Sequence, residues 1–186
     1  MTPRPAAGTS TADRLDVLEL NLVDIRHLFN SMDPAPFRER ELDAQAAAYI
    51  VDWAREARAG RTLRLRLHLQ DRATGADDIA VAGDAVHEYF LRRAAGQRRQ
   101  LRQLFRVGRI SLLIGAVFLG VAIAAGDFLA GMVSKSSYAD LLRESFVIGG
   151  WVALWRPLEI FLYDWWPIHA EAKLFDRLGQ MQVEVQ

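Results

Sequence analysis

Residues 110–133, ISLLIGAVFLGVAIAAGDFLAGMV, carry a single charge at Asp127, and after a short polar turn residues 145–166 read SFVIGGWVALWRPLEIFLYDWW. At 1.5 Å of rise per residue, roughly 20 apolar residues cross the ~30 Å hydrocarbon core of a bilayer, so the first stretch is long enough to span. The second is long enough too, but Arg156, Pro157 and Glu159 interrupt it and predict an irregular helix. These two stretches predict an α+β membrane protein in which a small cytoplasmic α/β domain, a three-stranded sheet with helices, is mounted on a two-helix transmembrane hairpin.

On the amino-terminal side, Leu18, Leu20 and Leu22 alternate with Glu19 and Asn21, the period of a strand with one buried face, here 15–22. Asp24 suits the cap of a short helix bearing Ile25, Leu28 and Phe29, which the run SMDPAPF ends. From Asp43, Ala46, Ala47, Tyr49, Ile50, Trp53, Ala54 and Ala57 recur at helical spacing, and Gly60 is the expected stop. Thr62–Gln70 reads TLRLRLHLQ, a strict leucine alternation and the clearest strand in the chain. A loop with Gly75 and the acids Asp77 and Asp78 leads into a helix from Ile79 that can run on into the first span, with Gly96 and Gly108 as candidate bends.

Past the hairpin, Pro167 is expected to limit the second span. IHAEAKLFDRLGQ then reads as a short amphipathic helix ending at Gly179, and Met181, Val183 and Val185 alternate in a tail strand. The expected organisation is a disordered lead at 1–14, the α/β domain with its basic juxtamembrane helix at 15–108, the hairpin at 109–166, and a tail at 167–186 that completes the sheet. The lead, MTPRPAAGTSTAD, lacks the apolar core of a signal peptide.

Charge is balanced, with 23 basic and 23 acidic residues, yet it is distributed unevenly. No acidic residue occurs between Glu88 and Asp127, while Arg92, Arg93, Arg98, Arg99, Arg102, Arg106 and Arg109 precede the first span. The turn after that span has Lys135 and Arg143 offset by Asp140 and Glu144. Positive residues stay cytoplasmic, which predicts that both termini lie in the cytoplasm. All of these arginines except Arg93 fall within an arc of about 120° on a helical wheel. Such a stripe serves as a topology signal with a solvated face, or as a contact for anionic lipid headgroups, worth about 1 kcal/mol per arginine. Nucleic acid is not an expected partner, because no aromatic stacking platform is interleaved with the stripe.

Within the spans, Arg156 lies about seven residues inside the aromatic group Tyr163, Trp165 and Trp166, and Glu159 is three residues on, so the two side chains share a helix face and can pair. The pair reads as a register-fixing or snorkelling contact, or as part of a path for ions, protons or headgroups. Ala116, Gly120 and Ala124 on the first span, and Gly149 and Ala153 on the second, are four apart and would let helices approach closely, within the hairpin or between copies.

Chemistry is sparsely signalled. There is no cysteine, which excludes disulfides, thiolate metal sites and cysteine nucleophiles. His27, His68, His87 and His169 are scattered, with no two-ligand metal spacing. His87–Glu88 lacks the second histidine of a zinc-protease helix and reads as an exposed helix pair, and His68 as solvated. No phosphate-binding glycine loop or nucleophile elbow is present, and no cofactor is implied. The residues favour an interaction protein over an enzyme.

The segments WRPLEIFLYDWWPI (155–168) and DPAPFRERELD (33–43) resemble a family of uncharacterised bacterial inner-membrane proteins with two transmembrane helices. That resemblance implies the architecture and an inner-membrane location, and it transfers no functional residues. The expected function is a membrane-anchored, self-associating interaction or scaffold protein, which contacts anionic lipids and an unidentified protein partner. The alternative is a subunit of a small oligomeric ion or solute channel or transporter.

Overall fold

The computed structural model describes residues 15–33, 40–58, 60–70, 76–132 and 137–186. The lead at 1–14, the proline-rich part of the first turn, Gly75 and the centre of the hairpin turn lie outside the described residues. The elements are β1 (Leu15–Leu22), a 3₁₀ turn (Ile25–Leu28), α1 (Ala44–Glu56), β2 (Thr62–Leu69), α2 (Ala76–Met132), α3 (Ser137–Glu159), a π-helical segment (Ile160–Asp164), α4 (Trp165–Gly179) and β3 (Gln182–Val185). They form two compact units: the described residues up to Gly96 together with Glu171–Gln186, and Gln97–Ala170.

The first unit is a mixed α+β body built on a three-stranded sheet in the order β1-β2-β3, parallel throughout. The register aligns Leu18 with Leu65 and Val183, and Leu20 with Leu67 and Val185, so apolar rows cross the sheet on one face. Leu63, Leu65 and Leu67 are buried against Ile50 of α1, Phe90 of α2 and Phe175 and Leu178 of α4. Each such side chain contributes about 2 kcal/mol of transfer free energy.

The opposite face is polar. Glu19, Arg66 and Glu184 stand in one row, with Arg66 Nη1 2.8 Å from Glu19 and Arg66 Nε 3.5 Å from Glu184. Arg64 reaches Glu184 at 3.0 Å and donates to Gln182 Oε1 at 2.7 Å. Acid flanks base on either side of β2, which is the arrangement that fixes β2 as the central strand. Exposed pairs are weak individually, about 0.2–1 kcal/mol. They act with the apolar rows, because a slip of one residue would exchange the two faces.

Local signals account for the start of the 3₁₀ turn and for both ends of α1. Asp24 caps the 3₁₀ turn through Arg26 N at 2.9 Å, and Asp43 caps α1 through Gln45 N at 2.9 Å and Ala46 N at 3.1 Å. Helix α1 does not run to Gly60. It stops at Glu56, because the Asp16 carboxylate on β1 takes the Arg58 backbone N–H at 3.0 Å and the Arg61 guanidinium at 3.0 Å. Gly60, at φ +85°, serves the turn into β2 instead. Arg177 of α4 donates to the carbonyls of Arg58 and Arg61 at this same corner, both at 3.3 Å.

One alternative left open by the sequence is decided, and two further expectations are corrected. Helix α2 passes Gly96 and Gly108 without a break, since isolated glycines cost only about 1 kcal/mol against alanine and leave the hydrogen-bond ladder intact. Pro167 does not end the second long helix, which continues as α4. The π segment just before it shifts the hydrogen-bond register, so Pro167 falls in the first turn of α4, where a missing N–H is tolerated. His87 is not an exposed member of a helix pair: it is half-buried, and its Nε2 lies 2.7 Å from the carbonyl of Met181 at the entry to β3.

Leu69 N donates to Gln186 O at 2.9 Å and Gln186 N to Leu67 O at 2.8 Å, so the last residues of the chain close the sheet. Deleting residues 180–186 removes β3 and the buried Met181. The expected cost is about 2–4 kcal/mol, which raises protease cleavage within residues 15–70 about tenfold or more. Limited proteolysis of the deletion variant checks this, and unchanged cleavage would show that β3 contributes nothing to the sheet.

Candidate functional site

The second unit pairs α2 from Gln97 onward with α3, the π segment and the start of α4. Its seam is built on glycine. A Cβ on Gly115 would lie 2.9 Å from Leu154 Cδ2 and 3.0 Å from the Ala153 carbonyl oxygen. One on Gly150 would lie 2.5 Å from Leu119 Cδ1, and one on Gly126 3.2 Å from Phe146 Cβ. Gly108 meets Ile160 in the same way, and Phe105 stacks on Phe161 with ring centroids 6.0 Å apart.

Pro157 explains the closest backbone approach. Lacking an N–H, it cannot donate to the carbonyl four residues back, which is that of Ala153. The Ala153 carbonyl is the group that faces Gly115 across the seam, where the absence of a side chain lets a Cα–H approach it. Pro157 itself is buried.

The small residues singled out in the sequence are placed mostly off this seam. Ala153 is in it, through its carbonyl. Ala116, Gly120, Ala124 and Gly149 are exposed, and a Cβ on Gly120 or Gly149 would meet nothing within 4 Å. Within the hairpin the structure uses Gly108, Gly115 and Ala122 instead, a spacing of seven that keeps one narrow stripe against an antiparallel partner. The spacing of four describes a neighbouring face.

Arg156 Nη1 lies 2.9 Å from Glu159 Oε2 and 3.3 Å from Asp164 Oδ2. Sequence reasoning missed Asp164, eight residues on, because neither three- nor four-residue spacing reaches it; the intervening π segment alters the phase of the helix. Beside Arg156, a groove of about 360 Å³ runs past Ser111, Ile114, Gly115, Phe118, Ala153 and Pro157.

A second ion pair joins the helices at the far end of the unit, Arg143 Nε to Asp127 Oδ1 at 2.8 Å. Sequence reasoning set Arg143 against Asp140 and Glu144 and missed this partner. A signal existed: Asp127 and Arg143 are equidistant from Lys135 in the turn, as antiparallel helices require.

Of the arginine stripe, Arg92 lies in the first unit, with Glu88 3.9 Å away. Arg98, Arg99, Arg102, Arg106 and Arg109 lie in the second. Arg109 Nε donates to the Phe105 carbonyl at 3.3 Å. Arg99, Arg102 and Arg106, with Gln103 and Val107, line a concave surface of about 390 Å³.

Other candidate chemistry is structural. Burial pushes the Tyr89 phenol up, the Arg93 cation opposes this, and Glu41 adds to it, so the group stays protonated at neutral pH. It packs edge-on to Phe90 at 5.2 Å in the core of the first unit. His68 lies 3.8 Å from Glu19 on the polar face of the sheet, and the His169 ring lies 5.8 Å from Trp165. Among the described residues, no three histidine, aspartate or glutamate side chains converge as a metal site.

No family model, curated protein or solved structure matches this chain.

The glycine seam makes opposite demands on neighbouring positions. Gly115→Leu drives a side chain into Leu154 and the Ala153 carbonyl and is expected to destabilise the hairpin by about 1–3 kcal/mol. Gly149→Leu enters open space and removes a helix glycine, so its stability should equal or exceed that of the parent. Thermal unfolding in detergent compares the two, and equal losses would show that the seam is misplaced.

Proposed function

We propose that this chain is a bacterial inner-membrane protein whose hairpin anchors a small cytoplasmic α+β unit, and that it acts as a self-associating interaction module. The observation that carries this reading is the apolar surface of the second unit. Leu113 is 67% exposed, Phe118 53%, Phe128 67% and Trp155 73%. In each long helix, the most apolar stretch is only 17% buried. A core helix of a water-soluble domain would be covered, and an apolar sheath of this extent is tolerated in hydrocarbon rather than in water.

The charges are placed to suit that setting. From Arg109 to Asp127 the helix rises about 27 Å, close to the hydrocarbon thickness. Tyr163, Trp165 and Trp166 are near Arg109 in the pairing of the helices, as an interfacial belt would be. Arg156 reaches along its helix toward Asp164, at that same end, in the manner of a snorkelling side chain. The arginines before the first span favour a cytoplasmic location for both chain ends.

Reporter fusions test the orientation. A fusion after Gln186 should report cytoplasm and one in the turn near Lys135 periplasm; a periplasmic signal from the carboxyl terminus would refute the proposal.

Self-association is supported by the exposed face of Ala116, Gly120 and Ala124, which the hairpin does not use and which lets a second helix approach closely. The channel reading requires association as well, because the groove beside Arg156 belongs to one hairpin and two helices enclose no pore. Native mass spectrometry of detergent-extracted protein should show oligomers that Gly120→Leu shifts toward monomer. A strictly monomeric parent would remove both self-association and the channel.

A further inference from the structure

Arg61, Arg64, Arg66, Arg143 and Arg156 each hold a carboxylate at 3.3 Å or closer. Arg99, Arg102 and Arg106 hold none among the described residues, and the sequence from Tyr89 to Gly126 contains no acid to offer one. These three guanidinium groups line one concave surface with Gln103 and Val107. Solvated cations scattered for topology need no common concavity, and this one presents unneutralised charge on successive turns of a single rigid helix.

From this arrangement we propose that residues 99–107 form a binding site for a membrane lipid that carries two phosphates. The inference rests on the membrane reading above. Positions three and four apart on a helix place neighbouring Cβ atoms about 5–6 Å apart, so Arg102 stands between two gaps, one shared with Arg99 and one with Arg106. A phosphodiester in each gap meets guanidinium on both sides, and the planar fork of arginine matches phosphate oxygens two at a time. Two monoanionic phosphates on a short bridge fill both gaps with one molecule. Two separate single-phosphate lipids would each have to be ordered there, at a greater entropic cost.

The surroundings suit an amphiphile better than a free phosphate. Val107, Ile110 and Ile114 continue from the arginines into the apolar stretch and are all exposed, at 48%, 54% and 63%. Arg106 is four residues, about 6 Å, before Ile110, which puts the guanidinium groups at headgroup level when 110–132 spans. Phosphates at the arginines then leave acyl chains lying along the isoleucines. Basic pockets at this level are a recurrent way of retaining lipids with multiple phosphates.

The full chain in detergent is incubated with diphosphatidylglycerol or with phosphatidylglycerol at equal total charge, and bound lipid is counted by native mass spectrometry. One diphosphate lipid per chain is expected, retained at least about tenfold more tightly than the single-phosphate lipid, and Arg99→Gln/Arg102→Gln/Arg106→Gln should abolish the preference. Equal retention of the two lipids by the parent would reduce the site to diffuse charge attraction and overturn the proposal. Retention by the triple variant equal to the parent would place the lipid elsewhere and overturn it too. Displacement by sodium pyrophosphate at concentrations similar to the lipid would identify a soluble ligand, with the same consequence. Thermal unfolding of the lipid-free variant reports whether it is folded, and the parent's choice between the two lipids decides the question without any variant. A failure of the membrane reading is separately visible, as a chain that stays in solution without detergent.

Discussion

The pairing of β3 with β2 is the constraint on which the first unit depends. β2 is the middle strand, its Leu63, Leu65 and Leu67 are buried, and its Arg66 meets a carboxylate on each side. A parallel partner on its second edge cannot be supplied by a tight turn, since parallel strands need a crossover. Here the crossover from Leu69 to Gln182 contains the whole of the second unit. The chain therefore leaves the sheet on α2 and returns on α4, and the returning segment brings Phe175, Leu178 and Met181 into the core as it does so. Folding of the first unit therefore requires α4 and β3, which follow the second unit in sequence.

Within the second unit, one missing hydrogen-bond donor organises the surroundings of Arg156. Pro157 frees the Ala153 carbonyl, Gly115 receives it, and both residues line the groove beside Arg156. The π segment that follows widens the helix by part of a turn, lets Asp164 join Glu159 at the guanidinium, and accommodates Pro167. Trp165 Nε1 donates to the Phe161 carbonyl at 2.9 Å. One arginine facing two carboxylates leaves a formal negative charge in this cluster. The groove is therefore poorly suited to an anionic head, in contrast with the unneutralised row of Arg99, Arg102 and Arg106.

Two kinds of arginine thus serve different physical ends. On the sheet and at Asp16, arginine neutralises carboxylates at positions that fix strand order and close the corner between α1 and β2. On α2, Arg99, Arg102 and Arg106 are left with their charge exposed. The distinction is carried by what surrounds each side chain and not by composition, since the chain as a whole is neutral.

Local pattern was enough to define the elements. A period of two in TLRLRLHLQ admits only a strand with one buried face, Asp24 and Asp43 cap where a side-chain oxygen meets orphan backbone donors, and the length of 110–133 exceeds what an ordinary core helix needs. The order of the sheet was legible too, because acids on β1 and β3 and bases on β2 read as a charge ladder. Contacts between residues distant along the chain were decided only by packing. Gly115 and Ala116 look alike in a list of small residues, although one position turns the helix by about 100°; only the partner helix selects between them. Asp127 with Arg143, Asp164 with Arg156, His87 with Met181 and Asp16 with Arg61 all belong to this class. Periodicity fixes which face of an element is apolar, whereas the identity of its neighbour comes from how the elements pack.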